Sequence, residues 1–199
     1  MNIRIKRAML AAGIVTTMAL PLTGQASDGT ITFTGAVTAS TCTLSVNSGV
    51  NAGTATVALP TVDTAALTNT GAGTTAAGTF FSVGVTGCNG VADIGSGTPA
   101  APTSVAIYFE AGPNVDEATG GLINTVAGSN VEVNLYNASG STIVGTQIQP
   151  GTPTHQPAAL TIASGGTQWF YAGYSTAGAG IAATAGAVST SITYSLVYN

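Results

Sequence analysis

Thr30-Ile31-Thr32-Phe33-Thr34-Gly35-Ala36-Val37-Thr38 alternates at period two, with Ile31, Phe33, Gly35 and Val37 on one face and Thr30, Thr32, Thr34 and Thr38 on the other. Such alternation marks a β-strand with one buried face. Upstream of it, Arg4, Lys6 and Arg7 precede an apolar stretch from Ala8 to Leu22 and then small residues ending at Ala26. This is the three-part layout of a secretory signal peptide, with cleavage expected after Ala26. The apolar stretch is short and interrupted by Gly13, Thr16, Thr17 and Pro21, which argues against a permanent membrane anchor. The alternating run therefore stands at the start of the exported chain.

Removing residues 1–26 from the 199 leaves 173, the size of one domain with a substantial core. It also removes every basic residue, since Arg4, Lys6 and Arg7 are the only three. All seven carboxylates lie beyond the cut, so the mature chain carries a formal charge of −7. A chain with nothing to neutralise phosphates is not built for nucleic acid. Asp and Glu can pair only with the new N-terminus or a protonated His155, so cohesion must come from apolar burial, backbone hydrogen bonds and covalent links. Cys42 and Cys88 are the only cysteines, and in an exported chain an isolated pair reads as one structural disulfide.

Further short alternating runs follow, separated by Gly- and Asn-rich turns. They cover Thr41 to Val46, Thr54 to Leu59, Thr79 to Thr86, Ser104 to Phe109, Asn130 to Tyr136, Thr142 to Ile148, Thr167 to Tyr174 and Val188 to Tyr198. Many short strands without a helical period predict an all-β antiparallel sandwich. Asn69 to Gly78, Gly95 to Pro102, Pro150 to Pro157 and Gly178 to Gly186 read as loops. In the last strand Ile192, Tyr194, Leu196 and Tyr198 share a face, and no strand follows it. A sandwich ending on an apolar strand leaves an uncovered groove and an unpaired edge, where an extended segment of another chain can add itself.

The run Asp28 to Val37 leading to Cys42 resembles the start of type 1-like fimbrial subunits of the chaperone–usher family. So do the apolar run before Cys88 (Phe80, Phe81, Val83, Val85), the Val-rich stretch Asn130 to Tyr136, and the ending from Ala185 through Tyr194 to the penultimate Tyr198. The resemblance spans essentially the whole mature chain. It implies an incomplete immunoglobulin-like sandwich completed by a donor strand from a neighbouring subunit, with residues 27–40 as the donor extension and 41–199 as the pilin domain. Ile31, Phe33 and Val37 would fill the neighbour's groove, and Gly35 would mark the position where bulk clashes. Ile192, Tyr194, Leu196 and Tyr198 would border the acceptor groove and meet a periplasmic chaperone's strand before assembly, with Asn199 in that chaperone's basic cleft. The implied partners are neighbouring subunits, the chaperone, an outer-membrane usher and, through the fibre, a host receptor; the implied destination is a surface fimbrium reached through the periplasm. The second reading is a minor adaptor or tip subunit, or a single-domain adhesin binding a host glycan.

No enzyme, metal or cofactor reading competes. His155 lies among Thr154, Gln156 and Pro157 without a second imidazole. Asp116 and Glu117, flanked by Gly and Pro, read as a solvated loop, because a hard-cation site needs several converging oxygens. No glycine-rich stretch fits a phosphate-binding loop.

Overall fold

Strand formation follows the alternation. The computed structural model describes residues 41–47, 53–68, 74–89, 103–161 and 165–199. Among them are nine strands: β1 Thr41–Val46, β2 Ala76–Asn89, β3 Ser104–Phe109, β4 Leu122–Ile123, β5 Val131–Ser139, β6 Thr142–Ile148, β7 Leu160–Thr161, β8 Gly166–Thr176 and β9 Tyr194–Tyr198. One sheet has the order β1-β2-β8-β5, and β4 and β6 share the far edge of β5; the second has the order β7-β3-β9. All pairings are antiparallel. The run Thr30 to Thr38 lies outside the described residues.

The core lies between the sheets. Phe81, Val83 and Val85 of β2, Phe170, Ala172 and Tyr174 of β8, and Val131, Val133 and Leu135 of β5 face Val105, Ile107 and Phe109 of β3. Phe170, fully buried, has its ring centroid 5.3 Å from that of Phe81 and 5.2 Å from that of Phe109, the latter edge-on. Aromatic rings so arranged combine a large buried area with favourable quadrupole geometry. Phe170→Ala is expected to cost about 3–5 kcal/mol in denaturant unfolding of the purified subunit; a loss below about 1 kcal/mol would mean that the two sheets do not depend on this contact.

Three expectations change. Thr54 to Leu59 is extended but joins no sheet: Val57 and Leu59 pack on the core, while the carbonyls of Gly53 and Ala58 accept side-chain hydroxyls, from Tyr194 (2.8 Å) and Thr79 (2.7 Å). Alternation was present, but no backbone ladder lies beside it. Val188 to Tyr198 is a strand only from Tyr194; upstream, Ser189 O accepts from Thr125 N and Ser189 N donates to Asn124 Oδ1. The loop expected up to Gly78 already belongs to β2 from Ala76, through a bulge between Ala76 and Gly78. A Cβ on Gly78 would stand 2.1 Å from Ala172 O, so only glycine lets β2 and β8 approach there.

Candidate functional site

The last strand is where packing is least complete. β9 pairs with β3 so that Tyr194, Leu196 and Tyr198 lie opposite Phe109, Ile107 and Val105 on one face. Those three β3 residues are only 1–2% exposed, whereas their β9 partners, and Ile192 just before them, are half-buried. The difference is one of position: among the described residues β3 is flanked on both sides and β9 on one. Where two-residue β7 stops, the Gln156 side chain continues the edge of β3, its Oε1 accepting from Phe109 N (2.9 Å) and its Nε2 donating to Phe109 O (3.1 Å). Beyond β9, no strand pairs with its other edge among the described residues. Asn199 extends the β3 pairing, its N donating to Ser104 O (2.9 Å) and its O accepting from Ser104 N (2.9 Å) and Thr103 N (2.8 Å).

Across from Tyr194 and Tyr198 stand Gly53, with Leu44 of β1 beside it, and Cys42; the extended residues Val57, Leu59 and Val62 are half-buried against the core. Two tyrosines tie the sides together. Tyr194 Oη donates to Gly53 O, and Tyr198 Oη donates to Cys42 Sγ at 3.3 Å. Burial pushes the Tyr194 hydroxyl up from its usual range, so it stays a neutral donor. Among the described residues the result is a strip of apolar side chains bordered by hydroxyls and an unpaired strand edge. Such a strip can take up an extended apolar segment. Cys42 and Cys88 are disulfide-bonded, which joins β1, at one side of the strip, to β2.

Tyr194, Leu196 and Tyr198 share one face of β9, and Ile192 before them is half-buried against the core. The structure adds Leu44, which was legible as an alternating apolar residue but not as a neighbour of Gly53, the acceptor of the Tyr194 hydroxyl. Ile31, Phe33, Gly35 and Val37 lie outside the described residues. His155 is exposed in a short 3-10 turn, Pro153–His155. Glu117 is exposed as expected, but Asp116 is half-buried, its Oδ1 accepting from Ala118 N at 2.8 Å.

Residues 59–199 match the family model described as type-1 fimbrial protein, A. The chain belongs to the type-1 fimbrial protein family. This fimbrial subunit is 33% identical over 187 residues to the major fimbrial subunit SMF-1 of Stenotrophomonas maltophilia (strain K279a), covering 91% of this chain and 98% of that one. It is 31% identical over 175 residues to the F17 fimbrial protein of Escherichia coli, covering 87% and 88%. A solved structure of a chaperone–usher pilus, described in terms of rod uncoiling, covers 90% of this chain and 100% of that one with a TM-score of 0.53 and 21% identity, a likeness of fold. The subunit is an all-β, incomplete immunoglobulin-like sandwich, a structural component of a surface fimbrium that associates with other pilin subunits, and not an enzyme.

Proposed function

We propose that this subunit polymerises by donor-strand exchange: residues 27–40 of one copy, with Ile31, Phe33 and Val37 inward and Gly35 at the tightest point, lie along the β9 edge of the next. The observation that carries this reading is the contrast between sealed β3 and half-open β9 on one face of one sheet. Three apolar side chains at period two match a strip whose own side chains recur at period two, and an added backbone would pair with the free edge of β9. Before assembly a periplasmic chaperone would cover the same strip, with an usher at the outer membrane passing subunits outward after the signal peptide 1–26 is removed. Likeness to a major fimbrial subunit along nearly its whole length supports a place in the shaft, supporting adhesion through the fibre rather than by a site of its own.

The test uses a peptide of residues 27–38. Fibres unfolded in guanidinium and diluted into excess peptide are expected to yield folded, peptide-capped monomers. The same peptide with serine at positions 31, 33 and 37 should leave aggregates, because each buried apolar side chain contributes about 1.5–3 kcal/mol. Equal refolding with both peptides would reject the pairing.

A further inference from the structure

Glu132 is 6% exposed in a protein whose basic residues all lie within positions 4–7. A buried carboxylate without a cation is costly unless it is hydrogen-bonded or keeps its proton. Glu132 projects from β5 on the face away from the core and is covered by a flap, residues 115–123. The flap is a tight hairpin: Val115 bridges Leu122, Asp116 N donates to Gly121 O (2.9 Å), and Gly120 N donates to Asp116 O (2.7 Å). Thr119 Oγ1 donates to Glu132 Oε2 (2.8 Å) and accepts from Gly121 N (3.1 Å). A Cβ on Gly121 would stand 2.3 Å from Glu132 Oε2, so the flap backbone rests on the carboxyl.

The flap that covers Glu132 carries two other carboxyls. On the flap, Asp116 acts on the Glu132 carboxyl, and Glu117 beside it is exposed. On β6, Gln147 Nε2 donates to Thr119 O (3.0 Å) and to Asn134 Oδ1 (3.2 Å); Asn134, two residues along β5, donates to Thr74 O (3.1 Å). β8 presents Ser175 opposite Glu132, with Tyr171 farther along opposite Tyr136. Ile123 pairs with it from β4. Burial pushes both tyrosines upward, so they remain neutral throughout the range where carboxyls titrate.

We propose that Glu132 forms a proton-operated latch: the protonated carboxyl, hydrogen-bonded by Thr119, lets the 115–123 flap rest against the sheet, and loss of the proton puts a negative charge beneath the flap and loosens it. Burial, opposed by the Thr119 hydrogen bond and reinforced by Asp116, holds the Glu132 carboxyl above the ordinary glutamate range. For a group raised on folding, the contribution is complete below the unfolded-state value and is lost as pH rises through the folded one. The flap is therefore tightest in acid. Its far side is fastened to the segment leading into β9, where Asn124 Nδ2 donates to Ala187 O (2.9 Å) and Asn114 Nδ2 to Ser191 Oγ (3.1 Å), so its loosening reaches the groove border.

The experiment is hydrogen exchange on intact fibres, read from peptic fragments covering 114–123 and corrected for the chemical rate. Exchange is expected to be slower at about pH 5 than at about pH 8, by about tenfold for each pH unit between the folded and unfolded titrations. Glu132→Gln should abolish that dependence with the flap closed at both values, since the amide oxygen accepts from Thr119 and no charge develops beneath the flap. Infrared titration of wild-type fibres should show one carboxyl losing its proton above the ordinary range; Asp116→Asn should lower that midpoint, a readout available even where the glutamine variant fails to assemble. Identical exchange profiles in wild type and Glu132→Gln, or no carboxyl titrating above the ordinary range, would overturn the latch.

Discussion

Fibres are expected to disappear when Ser27 to Thr38 is deleted from the subunit, while the remaining chain still reaches the periplasm and binds its chaperone. The deletion removes Ile31, Phe33 and Val37, each worth about 1.5–3 kcal/mol when fully buried. It also removes a set of strand hydrogen bonds of about 1 kcal/mol apiece. Against a typical domain stability of about 5–15 kcal/mol, the loss is decisive for the junction between copies. It leaves untouched the β9 strip that the chaperone would cover. Electron microscopy of cells carrying the deletion, together with recovery of a chaperone-bound subunit, measures both halves. Normal fibres from the truncated chain would refute donor-strand exchange through this segment.

Replacing Cys42 and Cys88 together by serine is expected to destabilise the subunit by about 4 kcal/mol, the loop-closure contribution for cysteines 46 residues apart. Position magnifies the consequence. Among the described residues β1 pairs only with β2, and its Cys42 and Leu44 are only half-buried against the core. Without the covalent tie, β1 is held by one ladder with a bulge between Thr41 and Thr43. The Tyr198 hydroxyl would then lose its sulfur acceptor on the opposite side. Guanidinium unfolding of peptide-capped monomers, with and without the cysteines, gives the difference directly. A change below about 1 kcal/mol would show that the tie does not constrain the unfolded chain as the loop-entropy account requires.

Most of the sandwich was legible because strands with one buried face announce themselves. The bounds of β1, β3 and β6 match the alternating runs, and the inward set Tyr194, Leu196 and Tyr198 was assigned to its face from periodicity alone. β4 and β7 escaped notice because two residues carry no period. Thr54 to Leu59 misled for the opposite reason: its pattern reports which side chains are buried, and a partner strand is a separate requirement. The buried acid was hidden by the same logic. In Asn130 to Tyr136, Glu132 and Asn134 fall on the polar side of a strand, which normally means water, and nothing in local sequence tells that Thr119 and Gly121 fold over them. One side of the groove could be read as a face, but its opposite wall depends on contacts between residues far apart in the chain.

The absence of lysine and arginine beyond position 7 sets how such a fibre meets its surroundings. Electrostatic reach contracts from about 30 Å at 0.01 M ionic strength to about 3 Å at 1 M. A polymer knitted by ion pairs would soften across that range. Here the carboxylates of neighbouring copies repel, which brine weakens, and in the donor-strand joint proposed above apolar contact between strand and groove would persist. Cohesion of that kind would be uncoupled from salinity, and a filament so joined is expected to keep its joints alike in dilute fresh water and in concentrated secretions.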